Sequence, residues 1–243
     1  MEQRFVDKMV SGSQELGIAL SDHQIGQFYR YYELLVEWNK VMNLTAITEL
    51  DDVVGKHFLD SISLVKVVAG VEKLNAAVID VGTGAGFPGI PLKIAFPGLR
   101  VTLLDSLNKR VKFLDEVIRQ LGLSGISSVH GRAEDFGRDA VYREQFDYCV
   151  SRAVANVATL SEYCLPFVKV GGAFVSYKSG KVDEELELGK KAVRLLGGEV
   201  EDVVKFQLNG VEGERAFVVI RKTEKTAKKY PRKAGVPGKE PLG

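Results

Sequence analysis

A mostly parallel α/β sheet with helices on both faces is the fold this sequence predicts, and three observations predict it. From residue 76 onward, short β-branched apolar runs alternate with stretches of helical periodicity. A glycine-rich turn follows the first of those runs, where a doubly wound sheet binds its ligand. At 243 residues, with 45% hydrophobic and 27% charged residues, the chain suits one globular domain with a modest extension.

Residues 1–75 read as a helical N-terminal extension. Between 24 and 44, Ile25, Phe28, Tyr32, Leu35, Trp38, Val41 and Met42 recur three or four apart, the spacing of an amphipathic helix. Ser21 with Gln24 gives a capping-box pattern at its start. Shorter helices are expected over 2–17 and 50–67. The extension carries seven basic and eleven acidic side chains, a poor platform for nucleic acid by itself.

Residues 76–222 carry the α/β pattern. The apolar runs AAVIDV, LRVTLLD, ISSVHG, FDYCVS and GGAFVSYK predict strands. Helices are expected over 108–121, 156–168 and 182–196. Right-handed crossovers then make the sheet mostly parallel. The last strands, near 200–208 and 214–222, have no helix between them, and such a hairpin predicts an antiparallel strand at one edge.

Net charge is +1, but the sum conceals an asymmetry. Residues 221–243 carry eight Lys or Arg against Glu224 and Glu240, a charge of +6, so the other 220 residues sum to −5. The segment 223–243, rich in Pro, Gly and Lys, reads as a basic flexible C-terminal arm, a candidate polyanion contact. Its Lys228, Lys229, Arg232 and Lys233 beside Tyr230 fit RNA binding. No apolar run reaches the ~18 residues of a membrane helix, and the acidic, polar N-terminus does not read as a signal peptide. Cys149 and Cys164 cannot supply a metal cluster or a disulfide framework and read as small buried hydrophobes. A cytoplasmic location and no metal are the expectations.

The strongest local chemistry is Asp80-Val-Gly82-Thr-Gly84-Ala-Gly86-Phe87-Pro88-Gly89. Glycines let the backbone turn sharply and approach a ligand where a Cβ would clash. Pro88 suits the opening of a helix, because its missing N–H would lack a partner there anyway. Two readings stand at this point. Gly84-Ala-Gly86-Phe-Pro-Gly89 satisfies the dinucleotide pattern, whereas Asp80-x-Gly82-x-Gly84-x-Gly86 resembles the first motif of S-adenosylmethionine (SAM) methyltransferases. Both want a carboxylate after the second strand for ribose hydroxyls, and Asp105 stands 23 residues past Gly82, against the ~20 expected.

Three features favour SAM. Asp80 precedes the first glycine, where methyltransferases often keep a carboxylate near the methionine end. Gly131-Arg-Ala133-Glu134-Asp135 resembles the adenine-edge segment of that fold. Leu165-Pro-Phe-Val-Lys169-Val-Gly-Gly172 leads into a strand as the common L-K-P-G-G segment does, with Val170 in place of Pro. A nicotinamide-dependent reductase is expected to carry a second nucleotide-binding half or a substrate domain, for which this length leaves no room.

Longer motifs make the resemblance specific. Asn39-Lys-Val-Met-Asn43-Leu-Thr-Ala-Ile and Lys56-His57-Phe-Leu-Asp60-Ser61 precede the domain. Within it lie the glycine loop through Pro91, Leu104-Asp105-Ser-Leu-Asn-Lys109-Arg110, and Ser151-Arg152-Ala-Val-Ala. Lys228-Lys-Tyr-Pro-Arg232-Lys-Ala-Gly-Val-Pro-Gly-Lys239-Glu-Pro-Leu242 closes the chain. Together these resemble the glucose-inhibited division protein B family, bacterial 16S rRNA guanine-N7 methyltransferases, across essentially the whole chain. The resemblance implies a Rossmann-like class I SAM methyltransferase that methylates one guanine in the decoding-region loop of 16S rRNA, free or in the assembling small subunit. It places cofactor contacts on Gly82, Phe87, Asp105, Ser106, Leu107, Ala133, Glu134 and Arg152. The alternatives are a SAM-dependent enzyme for another RNA or a small molecule, and a non-catalytic ribosome-assembly factor.

The chemistry agrees with this resemblance. Guanine N7 carries an in-plane lone pair on the major-groove edge, so no base is needed to remove a proton. The strand over 146–151 ends in Ser151-Arg152-Ala153, with neither a nucleophilic Cys nor an Asn/Asp-Pro-Pro-aromatic clamp for an amine. No catalytic acid or base is therefore assigned. Arg152 is a candidate for the methionine end or the guanine edge; a bidentate contact to O6 and N7 would block the nucleophile, so only O6 is open to it. The competing reading is an Arg paired with a nearby acid. His57 with Asp60, one turn on, is a candidate pocket wall or a packing residue. Lys109, Arg110 and Lys112 read as a solvated helix face.

Overall fold

The computed structural model describes residues 1–153, 155–179 and 182–243. The capping box at Ser21 forms: its hydroxyl accepts from Gln24 N–H, and the Gln24 side chain accepts from Ser21 N–H. Helix α1 spans Gln3–Glu15 and α2 spans Asp22–Met42, close to the periodic segments. Burial on α2 falls on Ile25, Phe28, Tyr31, Leu34 and Leu35. Tyr31 is thus fully buried while Tyr32 packs half-buried against the same core, and Val41, which the periodicity assigns to the apolar face, is 81% exposed. Asn43 takes a left-handed conformation (φ 48°) and ends the helix, a role its short polar side chain tolerates.

The stretch expected as one helix over 50–67 is segmented. Helix α3 (Leu50–Val53) runs into a π-helical turn over Val54–Leu59, then α4 (Asp60–Ile62) and a 3₁₀ turn over Ser63–Lys66. π turns are uncommon and gather at functional sites. This one carries Lys56 and His57.

The α/β part follows in the expected order: β1 (Ala77–Val81), α5 (Gly89–Ala95), β2 (Arg100–Asp105), α6 (Asn108–Gln120) and β3 (Ile126–His130). Then come α7 (Ala133–Phe136), β4 (Phe146–Ser151), α8 (Val157–Cys164), β5 (Val168–Ser179) and α9 (Val182–Leu195). The chain closes with β6 (Gly198–Phe206), β7 (Arg215–Lys222) and α10 (Val236–Lys239). Among the described residues the sheet has seven strands in the order β3-β2-β1-β4-β5-β7-β6. The first five pair in parallel. The antiparallel pairing is made by β7, which inserts between β5 and β6 and opposes both.

Strand alternation sends side chains to two cores. On β7, Phe217 and Val219 join the N-terminal helices, α5 and α6; Ala216, Val218 and Ile220 join α8 and α9. Residues 1–75 therefore share one continuous core with a sheet face. Each large apolar side chain buried there contributes roughly 1.5–3 kcal/mol. Cys149 and Cys164 are fully buried and unbridged, as small hydrophobes would be. Among the described residues no helix is long and apolar enough to cross a membrane.

Residues 223–243 depart from the expected free arm. Tyr230, Pro231 and Pro237 are buried against the domain. Arg143 donates to the carbonyls of Thr226 (2.6 Å) and Tyr230 (2.9 Å), and Arg138 to that of Pro231 (2.8 Å). The composition of the segment suggests disorder, but these partners lie 83–93 residues away, outside any local pattern.

Candidate cofactor and acceptor site

The glycine loop leaves β1 with Gly82, Gly84 and Gly86 at φ of 73°, 62° and 99°, a region L-residues rarely adopt. Asp80 is fully buried beneath it. Its Oδ2 accepts from Thr83 Oγ1 (2.6 Å) and Gly89 N–H (2.8 Å), which ties strand, loop and helix together. Burial pushes its carboxyl up to about 7, against the two hydrogen bonds that favour the charged form. In the fold the bonded oxygen of Asp80 braces the loop.

Helix α2 braces the loop from above. Tyr31 donates its hydroxyl to Ala85 C=O, and a Cβ on Gly86 would lie 2.6 Å from both Tyr31 Oη and Ile90 Cδ1. Sequence reasoning missed Tyr31. The signal available was its place three residues beyond Phe28.

Asp105 ends β2, buried. Oδ2 accepts from Gly84 N–H (2.9 Å) and Oδ1 from Leu107 N–H (2.8 Å), with Arg110 Nη1 3.4 Å from Oδ2. A carboxylate has about four lone-pair sites, so capacity remains for hydroxyl donors. Ser106 is exposed, and Leu107 is an exposed apolar side chain at 42%. Gly131 N–H donates to Asp105 C=O (3.0 Å), which brings the half-buried Ala133 and the buried Glu134 to the same edge. The Glu134 Oε1 accepts from Gly235 N–H (2.7 Å). A Cβ on Gly84 would meet open space, while one on Gly82 would sit 3.6 Å from Ala153 Cβ. An open backbone cradle, a facing carboxylate and an exposed apolar residue fit an adenosyl group. Gly82, Asp105, Ser106, Leu107 and Ala133 are the residues that would hold it.

Phe87 and Arg152 meet on the far side of the loop. The Phe87 ring is stacked on His57 (4.4 Å between centroids, 23°), with the Arg152 guanidinium 5.1 Å from its centroid. Arg152 Nη1 donates to Lys56 C=O (2.8 Å) and Asp60 Oδ2 (3.0 Å), and Nη2 to His57 Nδ1 (3.1 Å). Asp60 Oδ1 also pairs with Arg215 Nε (3.2 Å). Burial, then the adjacent Arg152 charge, depress the His57 pKa to about 3. His57 Nδ1 also lies 3.2 Å from Lys56 C=O, and Nε2 lies 3.0 Å from Thr45 Oγ1. Arg152 is thus paired with an acid, the competing reading, and it also lines a pocket. Val154, inside the Ser151-to-Ala155 motif, lies outside the described residues.

That pocket is a cavity of about 830 Å3 at the carboxyl ends of β4, β5 and β6. Lys56, Arg152, Lys178 and Arg215 line it against Asp60 and Glu185. Lys178 donates to Ala155 C=O (2.5 Å) and pairs with Glu185 (2.6 Å). Phe206 and Phe217 form an aromatic wall. Sequence reasoning did not find Lys178, Arg215 or this wall, because they come from β5, β6 and β7 and meet only through the sheet topology.

Of the four candidate RNA contacts, Lys228, Lys229 and Lys233 are exposed. Arg232 is not available. Its Nε donates to Glu162 Oε1 (2.9 Å) and Nη2 to Oε2 (2.7 Å), and Glu162 is fully buried. Tyr230 is buried too, with Lys229 Nζ 5.2 Å over its ring, so it is no free stacking platform. Lys109 is exposed and Arg110 turns to Asp105. Among the described residues no group of three or more His, Cys, Asp or Glu could hold a metal.

A sheet wound this way, with a glycine loop after β1, an acid ending β2 and a reversed β7, defines a Rossmann-like class I methyltransferase. A solved structure of similar fold is the 1,6-didemethyltoxoflavin-N1-methyltransferase of Burkholderia thailandensis, with TM-score 0.51 and 15% identity over 68% of this chain and 77% of that one. The family model for rRNA small subunit methyltransferase G (GidB) matches residues 24–218. Relatives named ribosomal RNA small subunit methyltransferase G come from Lachnoclostridium phytofermentans (54% identical, 96% of each chain) and Exiguobacterium sibiricum (51% identical, 100% of this chain and 99% of the relative). The chain belongs to that family.

Proposed function

We propose that this protein transfers the methyl group of SAM to N7 of one guanine in the decoding-region loop of 16S rRNA. The observation that carries the reading is the cationic cavity that opens beside the glycine loop, between Arg152 and the β6–β7 hairpin. SAM supplies an electrophilic methyl on a sulfonium. The chain's own part is to hold and to exclude. Asp105, with Leu107 and Ala133, would hold the adenosine, and the Gly82 turn beside Ala153 would hold the methionine end. Arg152, fixed by Lys56, His57 and Asp60, presents a donor surface at the cavity rim that can reach guanine O6.

No residue needs to act as a base. His57 is neutral and fully engaged. Cys149, whose thiol burial pushes well up, is remote from any nucleophilic role. Catalysis is positioning of a free lone pair against the methyl, with water excluded. The lining cations pair with Asp52, Asp60 and Glu185, and the one positive charge left over favours a phosphate-bearing acceptor. Lys228, Lys229 and Lys233 extend that preference along the surface as RNA contacts, in a cytoplasmic setting with 16S rRNA or the assembling small subunit as partner.

The test is ligand selectivity with transfer. SAM should raise the melting temperature and NAD should not, and labelled methyl should pass to 16S rRNA. RNA binding without transfer supports an assembly factor instead, and stabilisation by NAD alone supports a reductase.

A further inference from the structure

We propose that the docked C-terminal segment is a positioning element of the cofactor site, acting through the Ala133–Glu134 turn. The inference rests on the reading of that turn as the adenine edge.

Helix α7 is a single turn of four residues, and a turn that short has little stability of its own. What packs on it fixes it. On one side Gly131 N–H ties it to Asp105 C=O (3.0 Å). On the other side Tyr142 packs on Phe136 and Pro166 lies near Gly137, and the last 20 residues add two further contacts. Glu134 Oε1 accepts from Gly235 N–H (2.7 Å), and a Cβ on Gly137 would lie 3.1 Å from Pro231 Cγ. Gly235 can present that amide because it adopts φ 83°.

The segment is itself clamped at several points. Arg143 bridges the two parts: its Nη1 donates to Gly137 C=O (2.7 Å) and Tyr230 C=O (2.9 Å), and its Nη2 to Thr226 C=O (2.6 Å). Glu144 Oε1 accepts from Thr226 N–H (2.9 Å), and the buried Lys222 donates to Leu165 C=O (2.7 Å) and to Thr226 Oγ1. Glu162 takes Arg232, and Thr159 Oγ1 donates to Pro237 C=O (3.1 Å). If the segment lifts, Glu134 loses its backbone donor and Gly137 loses Pro231, with Pro166 left beside it. A ligand that needs the turn in place must therefore favour the docked segment, and docking must favour the ligand by the same factor.

The measurement uses the intact protein. Lys228, Lys229 and Lys233 are exposed trypsin sites on the segment, and cleavage there follows the open population when reclosing is fast. Saturating S-adenosylhomocysteine should slow their cleavage by about fivefold or more, the lower end of typical coupling. In the reverse direction, Arg143→Met should weaken S-adenosylhomocysteine binding by a similar factor, and Arg143→Lys should recover part of it. Cleavage at an unchanged rate with ligand bound overturns the inference, as does Arg143→Met binding like the wild type. Failure of the wild type to bind S-adenosylhomocysteine in the same titration is a separate outcome, and it overturns the cofactor reading together with the inference.

Discussion

Replacing Asp105 by Asn separates two jobs that this carboxylate performs. The substitution keeps the shape but turns one oxygen into an NH2 group, which cannot accept from Gly84 N–H (2.9 Å) or from Leu107 N–H (2.8 Å), whichever it faces. One loop bond to a charged group is lost, worth roughly 1.5–3 kcal/mol. For a chain of this size that lowers the melting temperature by about 3–12 °C. One ribose hydroxyl also loses a charged acceptor, which costs a similar energy and appears in binding as about a 10- to 150-fold rise in Kd. Calorimetric titration with SAM measures the second effect and thermal melting of the free protein the first. A melting point that falls while the SAM Kd stays within threefold of the wild type would refute the ribose assignment and leave Asp105 a loop brace.

Tyr31→Phe removes the donor to the buried Ala85 carbonyl, so thermal melts should show a loss of about 1–3 kcal/mol; an unchanged melting point would mean α2 does not brace the loop. Two buried groups should give opposed pH dependences. Asp80, raised to about 7, binds its proton more tightly in the fold than unfolded, so its contribution falls as pH rises from about 4 to 7. His57, lowered to about 3, does the reverse, and its contribution is lost as pH falls below about 6.5. Melting curves against pH should therefore tilt one way in Asp80→Asn and the other way in His57→Gln, and parallel curves would contradict both assignments. Joint replacement of Lys228, Lys229 and Lys233 by Ala should reduce the salt slope of RNA binding by about 2–3 with SAM affinity unchanged. Arg232→Ala should instead leave the buried Glu162 unpaired and cost about 3–5 kcal/mol of stability; a change in salt slope without that loss would restore Arg232 as an RNA contact.

What the sequence made legible is what local rules encode. The capping box at Ser21, the alternation of the strands and the glycine loop all rest on neighbours within a few residues, and each formed where expected. Asp105 was legible because the spacing from loop to second acid is set by one β-α-β unit. The rest depends on partners far apart in the chain. Arg152 and Asp60 are 92 residues apart, and Arg143 and Tyr230 are 87 apart. A lysine- and proline-rich segment looks unstructured until its buried acceptors are in place. The insertion of β7 inside the sheet, which brings Arg215 and Phe217 to the cavity, is likewise a matter of topology. Val41 and Tyr31 show the finer limit: apolar spacing locates a helix, but tertiary packing decides which residues of the stripe are covered.

The chemistry at the acceptor gives the most direct trial of the account. Small ribosomal subunits lacking the modification should be incubated with the protein and labelled SAM. The 16S rRNA is then treated with the reduction and strand-scission chemistry that cleaves only at 7-methylguanine. The account predicts stoichiometric label and one new cleavage, within the decoding-region loop. Label that survives without cleavage, cleavage elsewhere, or no label at all would contradict it.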